Sequence, residues 1–329
     1  DSATPDDRSA SADATLRLDL ADQWSADFAT GYAYSEQGLD DPGLPAGSLF
    51  MIGVMASGRH VWANHFEGVS RLDKDTGHWT SVSNLTALIP RHVIGMAHAG
   101  SFSWFLAPDQ DTVRLVRFDA ETGRFDEWGP LEEVALEQAS CLAAGGGELF
   151  VGMNKSQGVY VFDTISRSLI QQWIPDPLPP ELPMAVYKIL PDDDTTWVSL
   201  TPCGGLWRRD NRSKQFRFVP YRDGSPATHV LSLLMTDNGL MVGTLGSGPW
   251  RHDTRTERWQ NLNLSMIQSG IRHMYLGERN MIRFDNIYAM AARGARIWMA
   301  TNQGLILHDP AATPSGFEII GPQGRLSTS

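Results

Sequence analysis

Residues 229–262, HVLSLLMTDNGLMVGTLGSGPWRHDTRTERWQNL, read as four short strands joined by tight turns. The first, Val230 to Thr236, is apolar almost throughout, as expected of a strand buried on both faces. Asp237-Asn238-Gly239 is a hairpin turn into a second strand, Leu240 to Thr244. A third runs from Trp250 to Asp253. The fourth, Arg258 to Leu262, alternates polar and aromatic residues, as an outer strand should.

The Asp that closes the third strand recurs. Asp73, Asp119, Asp163, Asp210, Asp253 and Asp309 stand in RLDKDTGHW, RFDAETGRF, VFDTISRSL, RRDNRSKQF, RHDTRTERW and LHDPAATPSGF. A second marker, a strand centred on Trp62, Trp104, Phe150, Trp197, Met241 and Trp298, precedes each Asp by roughly a dozen residues. A Gly opens the third strand in most units, as in Gly68-Val69, Gly158-Val159, Gly205-Leu206 and Gly304-Leu305. Two markers in register at a period of about 45 residues predict an all-β, six-bladed β-propeller of four-stranded antiparallel blades. β-Sandwiches do not repeat at this length, and β-helix coils are shorter.

The repeats resemble the two-component regulator propeller repeat. Its pattern has a polar residue before the first strand, an aromatic, aliphatic, Gly, Thr second strand, a Gly-Leu opening of the third and an Asp turn leading to an aromatic in the fourth. His229-Val230, Met241-Val-Gly-Thr244, Asp253 and Trp259 match it, as do Asn286-Ile287, Trp298-Met-Ala-Thr301, Gly304-Leu305 and Asp309. The likeness covers roughly residues 48–320 and weakens in the second and third units, at Thr112-Val113 and Gly152-Met153. It implies the fold, and an extracytoplasmic sensor region placed ahead of signalling domains. It carries fold far better than activity.

Composition agrees with one repetitive domain. The 329 residues include 31 Gly and 19 Pro, which suits many short strands and turns. Residues 1–15 are polar, acidic and free of aromatics, so they read as a disordered N-terminal segment. The propeller is expected over 16–320, with 321–329 as a tail. Closure has two readings. Leu16–Trp24 copies the third-strand, turn, fourth-strand pattern and is expected to donate outer strands to the last blade; the alternative is a seven-bladed ring with a composite closing blade that draws inner strands from Ile271 to Phe284. Gly316-Phe-Glu-Ile-Ile320 looks like the last unit's own outer strand.

The net charge of −11 and the lack of a basic stripe argue against nucleic acid. No apolar run approaches the ~20 residues of a transmembrane helix. No metal site is expected: His92 and His98 lie too far apart along a strand, His60 and His65 fall on opposite faces, and neither HExxH nor CxxC occurs. No cofactor is expected either. Gly145-Gly-Gly147 and Gly243 to Gly248 lie between strands and read as hairpin turns, lacking the helix N-terminus that would hold a phosphate. The Trp residues at matched positions read as packing between blades.

What remains is the loop-rich face. The loops entering each first strand are irregular, whereas the turns leading from third to fourth strand are uniform. Pro175 to Pro183 is Pro-rich. The segment Leu264 to Asp285 combines Met266, Ile271, Met274, Tyr275 and Met281 with Arg272, Arg279 and Arg283, and reads as a partner-docking insertion or as extra structure completing the fold. His92, His229 and Asn286, with Arg91 and Thr228 beside two of them, precede first strands at matched positions. Each either bonds the loop backbone or serves as a ligand contact at the channel mouth. Cys141 and Cys203 fall on this same face in adjacent blades, where a disulfide is sterically allowed.

These features point to a non-enzymatic extracytoplasmic (periplasmic or secreted) recognition module, a sensor region or accessory subunit that binds a protein partner, a small molecule or a glycan. The alternative is a propeller-type polysaccharide lyase or hydrolase using Arg91, His92, His229 and Glu67.

Overall fold

The computed structural model is a six-bladed β-propeller. It describes residues 28–29, 51–65, 68–83, 85–110, 112–129, 134–175, 184–201, 205–219, 229–245, 248–262, 286–301, 304–309, 317–321 and 324–325. Six antiparallel sheets follow one another along the chain, each ordered by sequence from its inner to its outer edge. We name the four repeated strands a to d. Blade 1 holds Met51–Ser57, His60–His65, Gly68–Asp73 and Trp79–Ser81; blade 2 holds Gly95–Ala99, Phe102–Asp109, Thr112–Asp119 and Arg124–Glu127. Blade 3 holds Ala139–Gly145, Glu148–Met153, Val159–Asp163 and Leu169–Trp173, and blade 4 holds Ala185–Pro191, Thr195–Thr201, Gly205–Asp210 and Phe216–Phe218. Blade 5 holds Val230–Thr236, Gly239–Thr244, Pro249–Asp253 and Arg258–Asn261, within a residue of the strands read from the sequence. Blade 6 holds Ile287–Arg293, Arg296–Thr301, Gly304–His308 and Phe317–Gly321. The last of these is the outer strand that the sequence assigned to the sixth unit.

The ring is stapled at the ends of the chain. Phe28–Ala29 adds a fifth strand to the inner edge of blade 1 and lies against strand a of blade 6, while Gly324–Arg325 adds one to the outer edge of blade 6. Leu16–Trp24 lies outside the described residues. Blade 2 departs from the others because its b–c hairpin is long, with pairing that runs out to Asp109 and Thr112 and an Arg114–Asp109 ion pair of 2.6 Å.

The core lies between blades, where faces of neighbouring sheets meet. Trp62, Trp104 and Trp197 are fully buried there. Trp62 meets Phe105 and Phe118 of blade 2 edge-on, with centroids 4.9 and 5.0 Å apart. The packing reading of these residues holds. Trp298, in blade 6, is only half-buried.

In blades 1 to 5 the Asp at the end of strand c makes the uniform turn. Asp73, Asp163, Asp210 and Asp253 each accept backbone N–H bonds from the second and third residues onward, at 2.7–3.3 Å. Asp119 does so from Glu121 N–H and the Thr122 hydroxyl. Four residues after the Asp the chain adopts a left-handed conformation: Gly77, Gly123, Arg167, Lys214 and Glu257 have φ between 56° and 70°. The c–d turn then closes on the a–b turn of its own blade, as in Lys74 N–H to Arg59 O and Thr164 N–H to Gly147 O, both 2.9 Å. Both sets of turns therefore share one face.

Candidate functional site

The opposite face is set by a bulge. In blades 1, 3, 4, 5 and 6 the pairing of strand a with strand b slips by one residue near the start of strand a. The slip leaves extra residues, among them Ser140, Tyr187, Leu231 and Tyr288, and turns the preceding carbonyl away from its own sheet. The preceding blade captures that carbonyl in blades 4 and 6, and the matching Val93 carbonyl in blade 2. Ser140 Oγ donates to Val186 O at 2.6 Å, Ser232 Oγ to Ile287 O at 2.8 Å, and Asn64 Nδ2 to Val93 O at 2.8 Å. Asn64 Oδ1 also accepts the Val93 N–H at 2.9 Å. The sequence reading missed this seam. Its donors stand at different places in the repeat, Ser140 and Ser232 one register position apart in strand a and Asn64 in strand b, so no single repeat position signalled it.

Counting back from this register places His92, Gln138, Ala185, His229 and Asn286 at one equivalent position, at the mouth end of strand a. The matched positions of His92, His229 and Asn286 are thus brought to one ring. All three are half-buried. Asn286 Nδ2 donates to the Tyr288 hydroxyl at 3.1 Å, and the His229 backbone carbonyl accepts the Leu245 N–H at 3.0 Å. Arg91 is exposed, and its guanidinium braces the long hairpin of blade 2, with Nε 3.1 Å from Pro108 O. Thr228, Glu67, Cys203, the Pro-rich stretch from 176 to 183 and the insertion carrying Met266, Ile271, Arg272, Met274, Tyr275, Arg279, Met281 and Arg283 lie outside the described residues. Cys141 is buried, its Sγ 3.7 Å from Val186 O.

Three further histidines, His60, His65 and His98, are held within the scaffold. His98 points to the turn face, with Nδ1 2.9 Å from Phe102 O. His60 packs edge-on against Phe118, and His65 Nε2 sits 2.9 Å from Ser70 Oγ in the interior of blade 1. Burial lowers the pKa of His60 and His98 and keeps the rings neutral. Among the described residues no group of three His, Cys, Asp or Glu side chains is arranged to hold a metal ion, and no helix is long and apolar enough to cross a membrane.

Charged clamps between blades also escaped the sequence reading. Arg209 is fully buried, with Nη1 2.7 Å and Nη2 3.2 Å from the two Glu148 oxygens in blade 3, and Lys214 Nζ reaches the same carboxylate at 2.7 Å. Arg167 reaches Asp126 of blade 2 at 3.3 Å, and Glu257 receives Arg208 and Arg217 of blade 4 at 2.9 and 3.2 Å. Among the described residues, Arg167, Lys214 and Glu257 are the non-glycine residues at the left-handed turn position. A shape that normally selects Gly is occupied here by side chains that clamp the preceding blade.

No family model matches the chain, and no curated protein does. Solved structures share the fold. The extracellular domain of a hybrid two-component system from B. thetaiotaomicron superposes with a TM-score of 0.58 at 16% identity, over 84% of this chain and 34% of that one. A computationally designed protein, Ika8, gives 0.51 at 16% identity over 87% of this chain and 84% of its own. PorZ, a surface component of the type-IX secretion system of Porphyromonas gingivalis, gives 0.50 at 15% identity over 80% of this chain and 40% of its own. The chain spans about a third of the length of the two-component protein's structure. At these identities the likeness concerns the fold.

Proposed function

We propose that this chain is a non-enzymatic, extracytoplasmic recognition module that binds a protein partner or ligand on the face where the strand-a loops emerge. The reading rests on one contrast. The turn face repeats the same Asp hydrogen bonds blade after blade, while the equivalent mouth position carries His92, Gln138, Ala185, His229 and Asn286 in turn. A scaffold held constant beneath a varied ring is the arrangement of a binding surface. The repeat resemblance to two-component regulators supports a sensor role. The solved structures that share its fold, an extracellular domain and a surface component, support an extracytoplasmic location. An accessory subunit of a larger assembly fits equally well.

The test is capture from the native source, with bound proteins and glycans identified by mass spectrometry. The triple variant His92→Ala/His229→Ala/Asn286→Ala should lose the captured partner while its thermal melt stays within a few degrees of the wild type. A companion variant in the insertion, Met274→Ala/Tyr275→Ala/Arg279→Ala, separates ring contacts from loop contacts. Undiminished capture by both variants would sink the reading. Turnover of a glycan panel by the wild type would replace it with an enzymatic one.

A further inference from the structure

The seams between blades follow one rule. A bulky strand-b residue of one blade faces the strand-c residue just ahead of the Asp turn in the next. Trp62 meets Phe118, Trp104 shares a cluster with Phe162, and Phe150 lies under the Arg209 guanidinium at 5.5 Å. Trp197 meets His252 edge-on at 5.6 Å. In each of these seams at least one large ring fills the gap. The seam between blades 5 and 6 breaks the rule, with Met241 in the strand-b place and His308 opposite.

A cavity of about 80 Å³ lies there. Met241, Leu262 and Ile297 give it an apolar floor, and Asp237, Arg251 and His308 give it a polar rim. Gly294, in the a–b turn of blade 6, also lines it; a Cβ built on that residue would meet nothing within 4 Å. The cavity opens among the a–b turns, at the far ends of the strands from the His92, His229 and Asn286 ring.

We propose that this cavity is a second binding site, for a small aromatic ring carrying a hydrogen-bond donor, of the phenol or indole class. A ligand of this kind restores what the repeat has omitted. Aromatic rings favour a methionine sulfur at about 5 Å, by up to about 1.5 kcal/mol, so Met241 is a receptive floor as well as a smaller residue. An enclosed apolar cavity of roughly 150 Å³ accommodates a whole benzene ring. This one is smaller but open, so the ring enters edge-first and its substituent stays at the mouth. The Asp237 carboxylate at that mouth accepts hydrogen bonds and donates none, which suits a phenolic O–H or an indole N–H.

The experiment titrates phenol and indole into the full chain carrying ¹³C-methyl methionine, with the Met241 resonance assigned by Met241→Leu. Both compounds should move that methyl saturably upfield through the ring current. Cyclohexanol, which offers the donor without the ring, should bind up to about tenfold more weakly, the fold-change equivalent of the sulfur–aromatic contact. Met241→Trp and His308→Phe place in this seam the residue types found in the others, and each should abolish binding while the protein remains folded by circular dichroism. The absence of any saturable shift in the wild type overturns the proposal, whatever the variants do. Binding that persists in a folded Met241→Trp protein overturns it too.

Discussion

Gly152 shows how tightly a single position is held by the seam. It is the fifth residue of strand b in blade 3, and a Cβ there would run into Cys141 Sγ and come within 2.7 Å of Val186 Cγ1 in the next blade. Gly243 is constrained in the same way, by Ser232 Oγ and by Ile287 Cβ at 2.7 Å. In blade 2 the small residue has changed strands. Leu106 occupies the strand-b place, and Gly95 opposite it admits Leu142 of blade 3. Gly152→Ala should therefore lower stability by about 1–3 kcal/mol, the usual cost of overpacking, read as a shift of the urea midpoint at unchanged slope. The sequence displayed these glycines but not their cause, because the neighbouring-blade atoms they admit, on Val186, Ile287 and Leu142, lie more than 30 residues away. For the same reason Arg209 read as one more charged residue of RRDNRSKQF. Nothing local marks it as buried, and its partner Glu148 belongs to the preceding unit.

At the scale of an element, the c–d turn was legible because it is written locally. An Asp, two backbone N–H groups and a left-handed residue are all contained in five positions, and the pattern survives wherever that chemistry does. The turn also sets the acid response. Asp73, Asp119, Asp163, Asp210 and Asp253 are all held below the ordinary carboxylate range by the hydrogen bonds they accept; for Asp73 the bond from Arg59 is the largest cause and brings it to about 2. Burial pushes Glu148 upward, but Arg209 and Lys214 together outweigh it and hold it low. A carboxyl whose folded pKa is depressed binds fewer protons folded than unfolded, so its contribution is present above the unfolded value and disappears as pH falls through the folded one. His60, His98 and His252, kept neutral chiefly by burial, act earlier, from about pH 6.5 downward. Denaturant midpoints measured from pH 7 to pH 2 should fall gently below about 6.5 and steeply below about 4. Glu148→Gln leaves the buried Arg209 without its counter-charge, which should cost about 3–5 kcal/mol at neutral pH and flatten the lower limb. An unchanged lower limb in that variant would remove Glu148 from the account.

At the scale of the molecule, the six-fold period was readable because each blade repeats its own markers, whereas closure depends on segments that occur once. The sequence directs Leu16–Trp24 to the outer strands of the last blade. The structure shows that blade 6 supplies its own outer strand, Phe317–Gly321, and that the N-terminal contribution among the described residues is Phe28–Ala29 on the inner edge of blade 1, against strand a of blade 6. An inner strand at this seam ties the first blade to the last, so its loss should open the ring where no covalent link runs between neighbours. Two deletions separate the contributions. Removing residues 1–26 retains Phe28–Ala29 and should leave the thermal midpoint within about 1 °C of the full chain. Removing residues 1–30 takes the strand away and should lower the midpoint by several degrees, since about 1 kcal/mol corresponds to roughly 2–4 °C in domains of 150–250 residues and the shift per kcal/mol shrinks with size. If the shorter deletion costs as much as the longer one, the closing strand lies before residue 27, and Phe28–Ala29 is only an edge addition to blade 1.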